Sequence, residues 1–454
     1  MTSCPGLTKL YCYHNNLSGL DVTGLSELLF INCKQNADLD AITGLGDCTK
    51  LTYLECSECA LTSLDVSNLS ALTELWCRNN QFTTLSVVSK PNLTTLIASY
   101  NSLLEELECN DCVLTRLEIY NCPVLDYLDC CNNRLTELNT YTSPQLEYLL
   151  CNNNQITDLD LGNNNQLRYV WCNDNDLTEL DLSACPDNLY SLDCRWNRIS
   201  SLDVGRFKDI YQLACSSNKI TSLDVAGHTK MQDLWCQVNN LTTLDVSGCT
   251  ALKTLYASSN QLTSLDASDC PALNRVMLYY NNIKANEMGQ MVAGLPTRNA
   301  DEKGIIYTLV DKRLDDEVYA EGNVITASQV AQANDKYWDV YWYDTDASDW
   351  EPYAGSTFLP GDVDDNGNVG IADVTALIDY LLTGDASGIN LAAADVDGDG
   401  NVKIADVTAL IDMLLTGSAG KMMKSAADSS MAQANRSFMI DEDIVLEKPV
   451  RARH

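Results

Sequence analysis

Apolar and polar positions along this chain recur with a long period, not with the short period of a single helix or strand. Setting LTELDLSACPDNLYSLDCRWNRISSLDV (177–204) beside ITSLDVAGHTKMQDLWCQVNNLTTLDV (220–246) gives a unit L-x-x-L-x-C-x-x-N-x-L-T-x-L-D-V-S plus about four more residues. Copies run from Leu7 to Leu273 with a spacing of 21 residues, except for 23 after Leu28, 22 after Leu167 and 11 after Leu93. Side chains alternate across a strand, so Leu at positions 4 and 11 and Cys at position 6 point inward. Asn at position 9 is suited to satisfying backbone groups where the coil turns. The eleven-residue copy at Leu93 predicts a kink or offset in the stack.

The unit resembles the L-x-x-L-x-L-x-x-N/C-x-L core of leucine-rich repeats over residues 4–283. Its 21-residue length, with a second L-x-x-L-D-V half, resembles the bacterial class called IRREKO. The resemblance implies a mainly β fold, a parallel-stranded solenoid in which each coil contacts its neighbours.

The period sorts the 20 cysteines. Cys12, Cys33, Cys56, Cys77, Cys109, Cys130, Cys151, Cys172, Cys194, Cys215 and Cys236 fall at position 6, where Ala98 and Ala257 stand in two other coils. Interchange with Ala means packing. Cys56/Cys59 and Cys109/Cys112 have zinc-like C-x-x-C spacing, but they occupy positions 6 and 9 of the unit, so a structural role is favoured. Cys131, at the outward position 7, is expected to be an exposed free thiol.

Asp21, Asp65, Asp160, Asp181, Asp203, Asp224, Asp245 and Asp266 share position 15. Such a column could bind cations, but Asp before a turn more often accepts hydrogen bonds from turn amides. Outward positions beside the strands are rich in aromatics. Tyr53, Trp76, Tyr127, Tyr148, Tyr169, Trp171, Trp196, Trp235 and Tyr256 are therefore the candidate ligand-binding residues of a concave face. Acidic neighbours on that face suit a glycan or a protein with basic patches.

After Asn282 the repeat stops. ANEMGQMVAGLP (285–296) reads as a helix, GIIYTLV (304–310) as a strand, ITASQVAQAND (325–335) as a helix capped by Thr326 with Gln329 reaching back, and WDVYWYD (338–344) as a strand. Residues 1–282 are thus expected to be the solenoid and 283–357 a small α/β cap and linker, because an open solenoid end would expose its core.

Two further segments, GDVDDNGNVGIADVTALIDYLLTG (361–384) and ADVDGDGNVKIADVTALIDMLLTG (394–417), each pair a calcium loop with one following helix. Asp362, Asp364, Asn366, Asn368 and Asp373 fill positions 1, 3, 5, 7 and 12 of the first loop, with Gly367 at the sharp turn; Asp395, Asp397, Asp399, Asn401 and Asp406 repeat the set. Asp at position 12, no leading helix and a duplicate about 33 residues on together resemble a type I dockerin, a small α-helical paired half-EF-hand module over 358–417. The resemblance implies two Ca2+ ions and docking to a cohesin-like protein domain. It also implies partner contacts from Ile371, Ala372, Ile378, Asp379, Ile404, Ala405, Ile411 and Asp412, which depart from the hydroxyl-plus-basic set of some relatives. Val374, Leu377 and Leu381 form one apolar stripe that can bury against the sister helix; Ile371, Ile378 and Leu382 form another without an obvious internal partner. The tail 418–454 reads as linker plus an incomplete strand.

A net charge of -34 argues against nucleic acid and against an anionic membrane surface. No apolar run is long enough to span a bilayer, so no membrane insertion is expected. Ser3-Cys4-Pro5-Gly6 reads as the tail of a repeat whose beginning is missing, and no signal peptide precedes it. His14, His228 and His454 are scattered and no nucleophile motif occurs, so no enzyme is expected. These features point to a non-catalytic, calcium-binding protein, extracellular or at the cell surface. Its solenoid would bind a protein or glycan and its paired loops would dock to a partner. The alternative is a cell-surface adhesin whose dockerin-like module packs intramolecularly as a calcium-stabilised end-piece.

Overall fold

The computed structural model describes residues 4–310, 321–344, 346–356, 358–364, 369–397 and 400–416. The chain divides into two compact units, one ending at Asp203 and the other beginning at Val204.

In the first unit each coil contributes a three-residue parallel strand whose middle residue points inward. Lys9–Tyr11, Phe30–Asn32, Tyr53–Glu55, Glu74–Trp76 and Thr95–Ile97 pair in that order. Ile31, Leu54, Leu75 and Leu96 from their centres are fully buried. The strands are short because position 8 turns the chain into left-handed backbone. His14, Gln35, Glu58, Asn79, Tyr100, Asp111, Asn132, Asn153, Asp174 and Trp196 all have φ between 53° and 65°. Asn tolerates this region, and other L residues adopt it only when the surroundings demand it.

The asparagine of position 9 supplies much of that demand. Asn133 Nδ2 donates to the carbonyls of Cys109 (2.9 Å) and Cys130 (3.0 Å), and its Oδ1 accepts from Leu114 N (2.9 Å). Asn154 and Asn175 repeat the pattern one and two coils on. Each side chain therefore ties two neighbouring coils together while satisfying backbone that water cannot reach. Where Cys replaces Asn, its thiol takes over part of the role: Cys59 Sγ donates to Cys33 O (3.5 Å) and Cys112 Sγ to Val87 O (3.2 Å). The packing reading of the two C-x-x-C pairs therefore holds.

The eleven-residue copy exchanges the two sides of the coil. Thr84–Ser86, a second-half strand, pairs with Glu106–Glu108, the first-half strand of the next full copy. Conversely, Thr95–Ile97 pairs with Arg116–Glu118, a second-half strand. Both halves carry L-x-x-L, so dropping one half preserves the ladder on each side. Glu106–Glu108 then leads into Tyr127–Asp129, Tyr148–Leu150, Tyr169–Trp171 and Ser191–Asp193.

The cysteine column is buried from Cys33 through Cys194 in this unit, all as free thiols. Burial pushes the thiol of Cys151 up to about 12 and holds those of Cys109, Cys130 and Cys172 well above the usual range. Cys131 is a correction to expectation. It is buried among Tyr127, Tyr148 and Leu150, and its Sγ donates to Asn152 Oδ1 (2.6 Å). Burial first, and the Asp129 carboxylate second, push its thiol up. Position 7 faces outward, but the tyrosine of the next coil covers it.

In the second unit Gln212–Ala214, Asp233–Trp235, Thr254–Tyr256 and Arg275–Met277 pair in parallel in that order. Helix α1 (Ala285–Gly294) buries Met288, Met291 and Val292. Strand Gly304–Val310 then pairs with Arg275–Met277, Trp338–Asp344 pairs with Gly304–Val310, and Asp349–Pro352 adds antiparallel to Trp338–Asp344. Helix α2 (Ala327–Asp335) starts where expected, with Gln329 Oε1 accepting from Thr326 N (2.9 Å). Asn323 imitates the coil asparagine: its Nδ2 donates to Leu278 O (2.8 Å) and Thr308 O (3.0 Å), and its Oδ1 accepts from Ile283 N (2.9 Å). The cap closes the last coil by copying its hydrogen bonds.

Candidate metal centre and docking face

Helices α3 (Ile371–Thr383) and α5 (Ile404–Thr416) flank the short α4 (Leu391–Ala394). Leu377, Val407 and Leu410 share a core with Val363, Ala394 and Val396, and Val374 and Leu381 pack against it. The first predicted stripe is thus the internal one, and the loops themselves contribute Val363 and Val396. The second stripe faces out: Ile371 is 82% exposed and Leu382 79%, matched by Ile404 at 73% and Leu415 at 79%. Ile378 and Ile411 sit beside them at 37% and 38%. Ala372, Asp379, Ala405 and Asp412 are also exposed.

Each helix starts on the aspartate that closes its loop. Asp373 is fully buried; its Oδ1 accepts from Val363 N (2.7 Å) and Asp364 N (3.1 Å), and its Oδ2 from Gly370 N (2.7 Å). Asp406 does the same with Val396 N (2.8 Å), Asp397 N (3.1 Å) and Lys403 N (2.7 Å). One carboxylate therefore folds the loop back onto the helix N-terminus, where negative charge is stabilised. It also draws the other carboxylates in: oxygens of Asp362, Asp364 and Asp373, and separately of Asp395, Asp397 and Asp406, lie within 4.8 Å of one another. Gly400 takes φ 82°, the sharp turn of position 6, and donates its N–H to Asp395 Oδ2 (2.9 Å). The other oxygen, Asp395 Oδ1, is buried without a hydrogen-bond partner among the described residues. Three carboxylates, one of them carrying that orphaned oxygen, fit a calcium ion. Asn401 is exposed. Asn366, Asn368 and Asp399 lie outside the described residues.

Residues 360–415 match the family of dockerin type I domains. This segment is a dockerin domain. Dockerin type I domains bind Ca2+ and imply a cohesin partner, so the two carboxylate clusters of this one could hold ions. Dockerins and leucine-rich repeats are typically non-catalytic binding modules, and dockerins occur in secreted or cell-surface proteins. The solenoid that precedes the dockerin is a leucine-rich repeat by its period and its Leu and Asn columns. Solved structures it resembles include the functional domain of InlJ from Listeria monocytogenes, described as including a cysteine ladder, at 28% identity and TM-score 0.37 over 68% of this chain and 65% of that one. Others are a leucine-rich-repeat protein of Leptospira interrogans (20%, TM-score 0.38, 65% of this chain and 80% of that one) and the internalin InlF of L. monocytogenes (20%, TM-score 0.44, 66% and 83%). Among curated proteins nothing matches the chain. Among the described residues no helix is long and apolar enough to cross a membrane.

The aromatic residues of the solenoid need a second correction, because they do not line one face. In the first unit the half-unit exchange puts Tyr53 and Trp76 in one sheet and Tyr127, Tyr148, Tyr169 and Trp171 in the other. Phe30 stacks on Tyr53 at 4.4 Å and Tyr148 on Tyr169 at 4.6 Å, so the rows cover themselves. Tyr127 and Tyr148 are buried, as are Trp235 and Tyr256 of the second unit; Tyr53, Trp76, Tyr169, Trp171 and Trp196 are half-buried. Trp196 sits at the left-handed turn (φ 53°), not on a strand. The position-15 aspartates act as turn acceptors: Asp245 Oδ1 takes Ser247 N (2.8 Å) and Asp266 Oδ1 takes Ser268 N (2.9 Å). Hydrogen bonds from these serines hold both carboxyls below the usual range.

Proposed function

We propose that this chain is a non-catalytic, extracellular or cell-surface binding protein that is attached to its assembly by a calcium-held plug. In this reading residues 1–282 carry the ligand-binding surface, 283–357 close the solenoid, 358–417 form the plug and 418–454 are linker. The dockerin domain holds two Ca2+ ions, one at Asp362, Asp364 and Asp373 and one at Asp395, Asp397 and Asp406, with Asn366, Asn368, Asp399 and Asn401 completing the loops. Calcium would supply the positive charge that lets each carboxylate cluster stay compact. The observation that carries the docking role is the paired exposed stripe, Ile371/Ile378 on α3 and Ile404/Ile411 on α5, on helices whose other stripe is already buried. An apolar surface presented twice in equivalent form suits a protein partner of the cohesin type, which could engage either copy.

The test is capture of the full chain on immobilised type I cohesin domains, with calcium and with chelator. Binding that requires calcium, survives Ile378→Asp or Ile411→Asp singly and is lost in the double variant supports the reading. Capture indifferent to calcium and to both substitutions overturns it.

A further inference from the structure

An exposed surface of the first unit lies beside the half-unit exchange and borders the stacked row of Tyr148, Tyr169 and Tyr190. Tyr100, Tyr120 and Tyr141 are 52%, 44% and 57% exposed, and Leu103 and Val124 add 51% and 39%. Their turns are neighbours: Tyr100 N donates to Tyr120 O (2.6 Å), and Asn121 N donates to Thr142 Oγ1 (2.8 Å). Val124 also lines a groove of about 600 Å³ whose other walls include Glu105, Asp126, Glu147, Gln145 and Gln166. The backbone ladder stacks that acidic wall coil on coil, Asp126 N to Glu105 O (3.0 Å) and Glu147 N to Asp126 O (2.9 Å). Arg168 closes the row, paired to Glu147 at 3.5 Å and set over the Tyr190 ring at 5.9 Å. Three stacked carboxylates against one guanidinium thus border a band of exposed aromatic and aliphatic side chains.

We propose that this band and groove dock a basic amphipathic helix of a partner protein, its apolar stripe on Tyr120, Tyr141 and Val124 and its Lys/Arg stripe along Glu105, Asp126 and Glu147. Charge complementarity selects the occupant: a second copy of this chain would bring another net charge of -34. Spacing selects the helix. One helical turn rises ~5.4 Å and one coil step is ~4.8 Å, so two turns track three coils with a drift of only about 1.2 Å. The proposal gives the solenoid's ligand a chemistry and a place; it rests on the binding role of the solenoid and is independent of the dockerin.

The experiment is fluorescence anisotropy of a labelled helical peptide with adjoining lysine and leucine stripes, titrated with the full chain, beside a scrambled peptide of identical composition. No cohesin is present, so failure here leaves the docking reading untouched. The striped peptide is expected to bind about tenfold more tightly than the scrambled one. Both Tyr120→Ser/Tyr141→Ser and Glu105→Gln/Glu147→Gln should remove that preference while leaving the circular dichroism unchanged. Added salt should weaken binding. Equal affinity for the two peptides would reduce the effect to bulk charge and overturn the proposal. So would a preference that survives both pairs of substitutions, or self-association of the chain that the tyrosine pair abolishes, which would make a second copy the occupant.

Discussion

Replacing Asn133 by alanine removes one side chain and orphans two backbone groups. The carbonyl of Cys109 and the N–H of Leu114 lose a partner that sits 2.9 Å away, while the carbonyl of Cys130 keeps Asn154 Nδ2 at 3.0 Å. Asn133 is 9% exposed, so water replaces those bonds poorly. Each buried unsatisfied group costs about 1–3 kcal/mol, and partial relaxation of a turn brings the sum for the two to about 2–4 kcal/mol. With a urea m-value of ~3 kcal/mol/M or more for a chain of this size, the midpoint should fall by roughly 1 M. Asn15→Ala is the internal control. Asn15 donates to Cys12 O (3.1 Å) and Tyr13 O (2.9 Å) but is exposed, and should cost less than about 1 kcal/mol. Asn133→Cys adds a second arm, because Cys59 and Cys112 already serve at this position; it should recover part of the loss. Urea denaturation followed by circular dichroism reads all three. An Asn133→Ala midpoint equal to the parent's, or an Asn133→Cys variant no better than alanine, would refute the view that position 9 binds coil to coil.

Two further outcomes follow from the coil. Thiol labelling of the native chain at neutral pH should modify Cys4, which is exposed, and slowly Cys12, while Cys131 and the fully buried column react only on unfolding; mass mapping of the labelled sites checks this. Asn153, exposed and at φ 54°, should tolerate glycine but lose about 1–2 kcal/mol on conversion to valine, whose branched side chain resists left-handed backbone. Thermal unfolding of the two variants reads the difference.

The period, the inward Leu and Cys columns, the Asn role and the cap's order of helix and strand were all legible in the residues, because each depends on spacing alone. The left-handed turn at position 8 was not, since His14, Gln35, Glu58, Trp196 and Val238 carry no sign of it; neighbouring coils impose the conformation. The exchange of sides at Leu93 was read as an offset because the two halves of the unit look alike once reduced to L-x-x-L. Alternation assigned Tyr127, Tyr148, Trp235 and Tyr256 to an outward face, and they do leave the strand on that side. Stacked at the spacing of adjacent strands, such rings bury one another, so outward does not mean exposed. Tyr120 and Tyr141 are exposed instead at the turns, 21 residues apart; the same period, applied to the turns, could have found them. In the dockerin domain the alternation of buried and exposed helix stripes was readable because the two copies share it.

The central claim is that 360–415 is a paired calcium site, and calorimetric titration of Ca2+ into the chelator-treated full chain tests it most directly. The account predicts two ions bound, one in Asp362→Ala/Asp364→Ala and one in Asp395→Ala/Asp397→Ala, with helical circular dichroism rising as calcium is added. No calcium uptake, or a stoichiometry that neither pair of substitutions changes, would contradict it.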